Sequence, residues 1–388
     1  MTTKYSIEIL DGVSRLDANT WNALVGNDSP FLEHGFLSAL ETTFCVNDQS
    51  GWIPQIFIAR VHDSDNPQNQ NIVGALPLYL KYNSSGEFVF DWGWADAATR
   101  AGMSYYPKAV VGVPFTPVTG TRLLIAPDAE DPHEIRLMLA AAAIQFAEEN
   151  KLSSVHFNFI AENEIKIFEE LGLPVRLGLQ YHWKNDGYNN FDDFLGRFRS
   201  KRRANIRRER RKLENQGVST QIQTGEAISV ADLRRAFSYY QDTVHKFYHG
   251  QQYLNLEFFE MLATTLPERL HLVTAYQDGK PFAGTFNLFK NDRLYGRYWG
   301  AAKDIEFTHF EVCMYRAISW CIENDIQFFE PGAGGEHKFE RGFTPTRTYS
   351  AHFIRDPRLR LPITNFIAHE YSQIEAHIAY LRNESPIS

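Results

Sequence analysis

The sequence predicts an α/β (α+β) protein made of two similar domains in tandem. Four pairs of segments support this prediction, because each pair has one member in either half of the chain and the order is the same. The pairs read as a strand hairpin, an aromatic strand, an amphipathic helix that enters a buried strand, and a short segment with Phe, Glu, Pro and Arg at equal spacing. One match arises easily by chance, whereas four in order indicate an internal repeat.

The first two pairs predict a β-meander in each half. Residues 56–82 and 271–290 each read as a strand, a polar turn and a second strand that carries the pattern Gly-x-x-x-Leu. An aromatic segment that we interpret as a further strand follows each hairpin. These segments are FVFDWGWADA at 88–97 and LYGRYWGAAK at 294–303.

The last two pairs extend the repeat. AIQFAEENKLSSVHFNF at 143–159 matches AISWCIENDIQFFEPG at 317–332, and each reads as a helix that enters a buried strand. FEELGLPVR at 168–176 matches FERGFTPTR at 339–347. The distance along the chain between partners shortens by about 39 residues from the first pair to the last. The first half therefore contains an insert, which we expect at about 101–140.

These matches set the expected domain boundaries. We predict a first domain at 1–185, a basic linker helix at 186–214 and a second, similar domain at 215–388. At 388 residues the chain is too long for one core of ordinary size. Its hydrophobic fraction of 44% is typical of folded domains and excludes general disorder.

The cysteines and the apolar runs predict a cytoplasmic protein without a membrane span. Cys45, Cys313 and Cys321 form no CxxC pair and no even set, which fits a reducing compartment without disulfides or structural zinc. The N-terminus lacks the apolar core of a signal peptide. The longest apolar-rich run, LMLAAAAIQFA at 137–147, is too short to cross a bilayer.

A basic segment stands out in this acidic chain. Residues 197–212 contain ten Arg or Lys and one Glu, although the formal charge of the whole chain is −8. The pattern predicts a docked helix that presents Arg207 and Arg208 outward, because its apolar residues share one face. These apolar residues are Phe191, Leu195, Phe198, Ile206 and Leu213.

Three interpretations of the basic segment stay open. Its cations form ion pairs with acidic residues in the rest of the protein, or the segment binds a membrane surface, or it binds phosphate groups of a tRNA backbone or a diphosphate. DNA is not an expected partner, because a general nucleic-acid binder is usually basic over a whole domain.

The order of elements in each half resembles the acyltransferase fold of the GNAT superfamily. Two such domains joined by a basic segment, KRRANIRRERRKLENQGV at 201–218, resemble the Fem-type peptidoglycan aminoacyltransferases and their FemAB-like relatives. The opening SPFLEHGFLSALE at 29–41 is similar to that of the FemAB-like group. The resemblance implies a bacterial N-acyltransferase that passes an acyl or aminoacyl group to an amine in a cleft between the domains.

The resemblance also implies the substrates. The donor is aminoacyl-tRNA or acyl-CoA, no further cofactor is expected, and the acceptor is a small-molecule or cell-wall-precursor amine. Acyl-CoA users of this fold hold the pyrophosphate with a glycine-rich loop before a helix. Here no glycine follows Gly300 before the helix, which weakens the coenzyme A interpretation. The alternatives are a CoA-dependent acetyltransferase on a small amine and a catalytically silent binding protein of the same fold.

The strongest local signal for chemistry is PGAGGEHKFERGFTP at 331–345. Its small residues let the backbone approach a ligand, and charged residues follow at once. Acyl transfer to an amine needs a base and a positive charge near the developing oxyanion. Lys338 is the predicted electrostatic stabiliser, because the segment resembles a Phe-Lys-x-x-Phe-Gly segment of Fem-type enzymes. The other predicted groups are Glu336, His337 and Glu311 as base or orienting group, and Arg341 in substrate binding.

Further substrate-binding residues are predicted next to this segment. On the strand YGRYWG, alternation places Arg297 and Trp299 on one side and Tyr298 on the other. His309 follows near the start of a helix, where a substrate-binding role is expected. Its spacing from Glu311 matches no standard metal motif, so we predict no metal site.

In the first half, Asp91 and Trp92 are the candidate binding residues. Two Trp and two Asp in FVFDWGWADA suit stacking on a sugar or another ring. They equally suit a strand edge at the domain interface.

Overall fold

The computed structural model of the protein describes residues 4–62, 70–247 and 251–387. The chain separates into two compact units. Unit 1 consists of Met1–Gly178 with Arg347–Glu375, and unit 2 of Leu179–Thr346 with Ala376–Ser388.

Strands and helices alternate along both units. The elements up to residue 184 are β1 (Lys4–Leu10), α1 (Ala18–Val25), α2 (His34–Thr42), β2 (Trp52–His62), β3 (Gln70–Lys81), α3 (Trp92–Arg100), β4 (Lys108–Val111), β5 (Leu124–Ile125), α4 (Pro132–Glu149), β6 (Ser154–Ile160), α5 (Ile165–Glu170) and β7 (Val175–Lys184). Those that follow are α6 (Phe191–Gly196), α7 (Ser200–Asn215), β8 (Val218–Thr224), α8 (Val230–Phe247), α9 (Leu256–Thr265), β9 (Leu270–Gln277), β10 (Lys280–Lys290), β11 (Arg293–Ala301), α10 (Thr308–Phe310), α11 (Arg316–Glu323), β12 (Phe328–Glu330), β13 (Thr344–Ile354) and α12 (Pro357–Asn383).

Unit 1 is built on a mixed sheet with the strand order β1-β2-β3-β4-β6-β13. Strands β1 to β4 form an antiparallel meander, β6 is parallel to β4, and β13 is antiparallel to β6. All residues of β6 are buried. Helix α4 contributes Ile135, Leu139 and Ala143 to the core that contains Leu76 and Phe157. The apolar face of this helix therefore covers the centre of the sheet.

Unit 2 has the same topology, with the strand order β8-β9-β10-β11-β12-β7. An antiparallel meander from β8 to β11 is followed by the parallel strand β12 and the antiparallel strand β7. Helix α8 approaches β11 so closely that a Cβ on Gly300 would lie 1.8 Å from the carbonyl oxygen of Tyr239. Only glycine fits at this position. The shared topology confirms the predicted fold class.

The unit boundaries differ from the predicted domains. Residues 347–375 belong to unit 1, because β13 pairs with β6 of the first half. The predicted linker at 186–214 belongs to unit 2, since Ile206 and Leu213 are buried in the cores of that unit. Both differences arise from contacts that are distant along the chain.

The extra residues of the first half lie in two connections rather than in one insert at about 101–140. Residues 82–107 join β3 to β4, and residues 112–131 lead to α4. The corresponding connections of unit 2 are 291–292 and 302–307. The number of extra residues agrees with the predicted value of about 39. They are divided between two connections, however, and do not form the single predicted insert.

Two predicted elements are corrected by the structure. FVFDWGWADA is not a strand, because α3 begins at Trp92, where the alanines of the segment favour a helix. The basic segment is not one helix, because α6 ends at Gly196 and Arg199 is extended with ψ 144°. The amide of Arg199 donates to the Pro386 carbonyl, and this contact separates α7 from α6.

A buried polar cluster lies inside unit 1. The Lys108 ammonium donates to Glu87 at 2.8 Å and also to Asp91. The Nδ1 atoms of His156 and His352 are 2.7 Å apart. Burial is the main cause that holds the pKa of both imidazoles well below the ordinary value, and nearby cations, including Lys108, add to it. Both histidines are therefore neutral at pH 7.

This histidine pair makes the fold sensitive to acid. Unfolded histidines titrate near pH 6.5, so the unfolded chain binds more protons than the folded one below that pH. We expect the free energy of unfolding to fall between pH 7.5 and pH 5 by about 2 kcal/mol for each of His156 and His352. Urea denaturation at both pH values measures this loss. Between the same two pH values, the free energy of unfolding of the double variant His156→Leu/His352→Leu should fall by about 4 kcal/mol less than that of the wild type. An unchanged pH dependence in that variant would contradict the prediction.

Candidate active site

A pocket opens in unit 2 where β11 and β12 cease to pair. The parallel register ends at Tyr295 opposite Glu330, and β11 then continues to Ala301 while β12 stops. The empty volume at this point is about 370 Å³ and includes open solvent. Its lining residues are Thr285, Asn287, Gly296, Arg297, Tyr298, Trp299, His309, Cys313, Met314, Pro331 and Lys338.

A β-bulge shapes one wall of the pocket. Phe286 pairs with Tyr298 and Asn287 pairs with Gly296, which leaves Arg297 as the extra residue of β11. The bulge breaks the strict alternation of side chains. Arg297, Tyr298 and Trp299 consequently all line the pocket, whereas alternation predicts Tyr298 on the other side.

Lys338 lies in the opposite wall, on a 3-10 turn at Glu336–Arg341. Gly335 and Gly342 flank this turn with φ of 87° and 85°, a region that favours glycine. The buried Nζ of Lys338 donates to the Gly332 carbonyl at 2.6 Å and to the Ala333 carbonyl at 3.4 Å. An ammonium has three N–H groups, so one remains for a ligand. Burial lowers the pKa of Lys338 to about 8.

His309 and Cys313 are two further titratable groups of the pocket wall, beside Arg297 and Tyr298. Burial first, and then the charges of His337, Lys338 and Arg341, lower the pKa of His309 to about 3. Its ring centroid is 4.4 Å from that of Trp299. Burial raises the pKa of the Cys313 thiol, so Cys313 is a neutral thiol at pH 7. The pocket therefore offers one ammonium and one neutral imidazole to a ligand.

Three other predicted site residues lie elsewhere. Glu336 and His337 are exposed on the turn, although the His337 ring lies 5.4 Å from that of His309. Glu311 is buried but accepts from Arg210 Nε at 3.0 Å and Nη2 at 3.1 Å. Its carboxylate is thus neutralised by α7 and does not line the pocket of Lys338. The predicted role of Glu311 as base has no support in this geometry.

Comparisons with known proteins identify the family. Residues 12–388 match the FemAB-like family, described as peptidoglycan biosynthesis/recognition. The chain belongs to the FemAB-like family. No curated protein matches the sequence significantly. Membership makes the FemAB-like protein an acyltransferase.

Solved structures show the same fold at low sequence identity. The crystal structure of FemX has a TM-score of 0.54 and 11% identity over 90% of this chain and 98% of its own. A conserved protein of unknown function from Bacteroides thetaiotaomicron VPI-5482 has a TM-score of 0.51 and 11% identity over 90% and 100%. L-PGS from Bacillus licheniformis has a TM-score of 0.48 and 11% identity over 85% and 94%. The matches to FemX and to the Bacteroides protein, together with the repeated topology of the two units, show that the FemAB-like protein has the tandem GNAT fold.

Arg341 stabilises the site of the FemAB-like protein rather than lining it. Its guanidinium is buried, donates to Glu209 at 3.1 and 3.2 Å, and lies 3.3 Å from the ring centroid of Phe310. Glu209 also accepts from the Tyr315 hydroxyl. Nη1 and Nη2 of Arg341 donate inside unit 2, to the His337 carbonyl and to Glu209, whereas its buried Nε has no hydrogen-bond partner. A role of Arg341 in substrate binding stays a prediction. Sequence reasoning missed Glu209, although a carboxylate on the apolar stripe of a basic helix is a signal for a buried partner.

The basic helix α7 is partly neutralised. Arg207 pairs with Asp192 at 3.1 Å, Arg210 with Glu311, and Lys212 with Glu306 at 3.4 Å, and Arg202 contacts Glu340. Lys201, Arg208 and Arg211 are exposed and form no ion pair in the described part of the chain. They lie three to ten residues apart on the face opposite Ile206 and Leu213. The free positive charge of α7 is therefore concentrated on one solvent face.

In unit 1 the two predicted binding residues, Asp91 and Trp92, differ in their exposure to solvent. Asp91 is buried and contacts Lys108 and the Tyr105 hydroxyl, so its carboxylate is not available to a substrate. Trp92 is 60% exposed, and its ring centroid lies 5.0 Å from that of Phe90. Stacking of a ring on Trp92 stays a prediction.

Within residues 4–62, 70–247 and 251–387, no three His, Cys, Asp or Glu side chains are grouped to hold a metal ion. In the same residues, no helix combines the length and the apolarity needed to span a bilayer.

Proposed function

We propose that this FemAB-like protein transfers an acyl or aminoacyl group to an amine in the pocket of unit 2. The observation that supports this function best is the buried ammonium of Lys338 at the point where β11 and β12 separate. Keeping an ammonium charged inside a protein costs free energy. This cost favours a role for Lys338 in contact with a ligand. The pocket lies within one unit, so the expected cleft between the domains stays a prediction.

Lys338 would stabilise the negative charge that develops on the acyl oxygen. When the amine attacks the acyl carbon, a C–N bond forms and the carbonyl oxygen becomes an oxyanion. The remaining N–H of Lys338 would contact this oxyanion at the buried wall of the pocket, where such a contact is stronger than in bulk solvent. One contact of this kind typically contributes 10²- to 10³-fold in rate, in order of magnitude.

His309 is the better candidate to orient the amine. Burial and nearby cations lower the pKa of its imidazole to about 3, so the ring stays neutral and its unprotonated nitrogen would accept a hydrogen bond from the attacking amine. The proton that the amine loses as the C–N bond forms would pass to the leaving group of the donor as the acyl bond breaks. Glu311 is excluded from this role by its pair with Arg210. The sequence assigned His309 to substrate binding, and this proposal extends that assignment.

The donor that the surface supports best is aminoacyl-tRNA. The exposed cations of α7, namely Lys201, Arg208 and Arg211, suit a phosphate backbone. The connection 302–307 before α10 contains no glycine, so it lacks the loop that usually holds a pyrophosphate. The family description supports a cell-wall-precursor amine as acceptor.

Binding measurements test the donor. We expect aminoacyl-tRNA to bind the purified protein more weakly as salt rises, because each phosphate contact releases a counterion. Lys201→Glu/Arg208→Glu should reduce affinity by at least about tenfold and lower the salt dependence. Lys151→Glu/Lys166→Glu changes the charge equally on exposed lysines of unit 1 and is the matched control.

The alternatives are distinguished in the same experiment. Saturable binding of acetyl-CoA that is indifferent to the α7 variant would make the protein CoA-dependent and contradict the tRNA proposal. Binding of either donor without transfer to any amine would indicate a protein that only recognises its ligand.

A further inference from the structure

A second pocket lies elsewhere in unit 2 and takes no part in the proposed transfer. Its empty volume is about 690 Å³ and includes open solvent. The residues that line it are Arg210, Leu213, Glu214, Val218, Ser219, Thr220, Glu311 and Arg316. They come from α7, the edge strand β8 and the helical segment that begins at α10. None of them lines the pocket of Lys338.

Arg316 gives this pocket an unsatisfied donor. Its Nε is buried and forms no hydrogen bond. Arg316 also has no carboxylate within ion-pair distance in the described residues. Buried donors without a partner are rare in native proteins and call for an explanation such as an ion or a ligand. A guanidinium left in this state indicates that its partner is a molecule other than the protein.

A second guanidinium and two hydroxyls accompany Arg316. Arg210 uses Nε and Nη2 to hold Glu311, which leaves its Nη1 group free for another acceptor. Ser219 and Thr220 of β8 bring hydroxyl groups to the same pocket. The carboxylates are Glu311, which Arg210 neutralises, and Glu214, which is exposed. The formal charges of the lining cancel, so an anion is favoured by the unsatisfied guanidinium of Arg316, the free Nη1 group of Arg210 and the two hydroxyls.

We propose that this pocket binds the phosphoryl group of a small phosphomonoester, between Arg316 and Arg210. Forked guanidinium donors match phosphate oxygens in pairs, and the hydroxyls suit the remaining oxygens of the tetrahedral group. The pocket is much larger than a phosphate ion, so the rest of the ligand has room beside Leu213 and Val218. This site is independent of the acyl-transfer function.

Calorimetric titration of the full-length protein with glucose 6-phosphate, and separately with inorganic phosphate, tests the site. We expect saturable binding of glucose 6-phosphate below about 10 mM. Arg316→Met should weaken it at least about tenfold, because the forked donor is lost. Glu311→Gln should strengthen it, because it frees Arg210. Arg382→Met removes an exposed arginine of unit 2 outside the pocket and should have no effect.

Three results of this titration would contradict the proposal. Absence of saturable binding, equal binding by Arg316→Met, or an equal loss in Arg382→Met would each exclude the site. Arg316→Lys keeps the charge without the fork and serves if the methionine variant does not fold; wild-type affinity in the lysine variant would contradict the paired geometry. Equal binding of inorganic phosphate would mean that the pocket recognises the ion and not an ester.

Discussion

Replacement of Lys338 by methionine is expected to slow acyl transfer strongly and to stabilise the folded protein. The pKa of Lys338 is lowered from 10.5 to about 8 by burial, which corresponds to a cost of about 3 kcal/mol for keeping the ammonium charged in the pocket wall. Methionine has a similar shape and carries no charge. The transfer rate should fall about 10²- to 10³-fold, while the free energy of unfolding at pH 7 should rise by about 1–3 kcal/mol.

Rate and stability measurements on the same preparations check this result. The pKa of Lys338 is higher in the unfolded chain than in the folded protein. The wild type should therefore become more stable as pH rises from about 8 to 10.5, and Lys338→Met should lack this gain in stability. Transfer by the wild type should decline as pH rises through about 8. Lys303→Met removes an exposed lysine as a control. Full transfer activity in Lys338→Met would exclude Lys338 from the chemistry.

Replacement of Glu209 by glutamine is expected to have the largest effect on stability. Glu209 and Arg341 are only 7% and 6% exposed, and Glu209 also accepts from Tyr315. Loss of the carboxylate charge leaves the Arg341 guanidinium buried without a counterion. The removal of one member of such a pair typically costs about 3–5 kcal/mol.

Urea denaturation at pH 7 measures this cost. Glu214→Gln is the matched control, since Glu214 is exposed on the same helix and should change stability by less than about 0.5 kcal/mol. The double variant Glu209→Leu/Arg341→Met removes both charges and should recover most of the loss. Equal stability of Glu209→Gln and Glu214→Gln would show that the pair does not hold α7 to the turn that carries Lys338.

The local patterns of the sequence predict the fold class and several elements. The paired strands within 56–82 and 271–290, and the helix that enters β6, follow from hydrophobic periodicity, and the structure confirms them. The predicted turn between β2 and β3 lies outside the described residues. Periodicity does not reveal that β13 returns to pair with β6, because strand partners are chosen by contacts distant along the chain. The predicted boundary at 185 is displaced for this reason.

The site was predictable in part. Lys338, His309 and the residues of YGRYWG lie together around one pocket, yet their roles stay predictions. Glu311, Arg341 and Asp91 are polar residues that the sequence marks as reactive, but each is buried against an opposite charge. A sequence shows that a charge is present and does not show whether a partner neutralises it.

The most direct test of the central proposal is a structure of the protein with a non-hydrolysable aminoacyl donor analogue. We expect the acyl carbonyl carbon in the pocket between β11 and β12, with its oxygen within about 3 Å of Lys338 Nζ and with His309 facing the side from which the amine attacks. An acyl group bound outside this pocket, for example beside Trp92 in unit 1, would contradict the proposal.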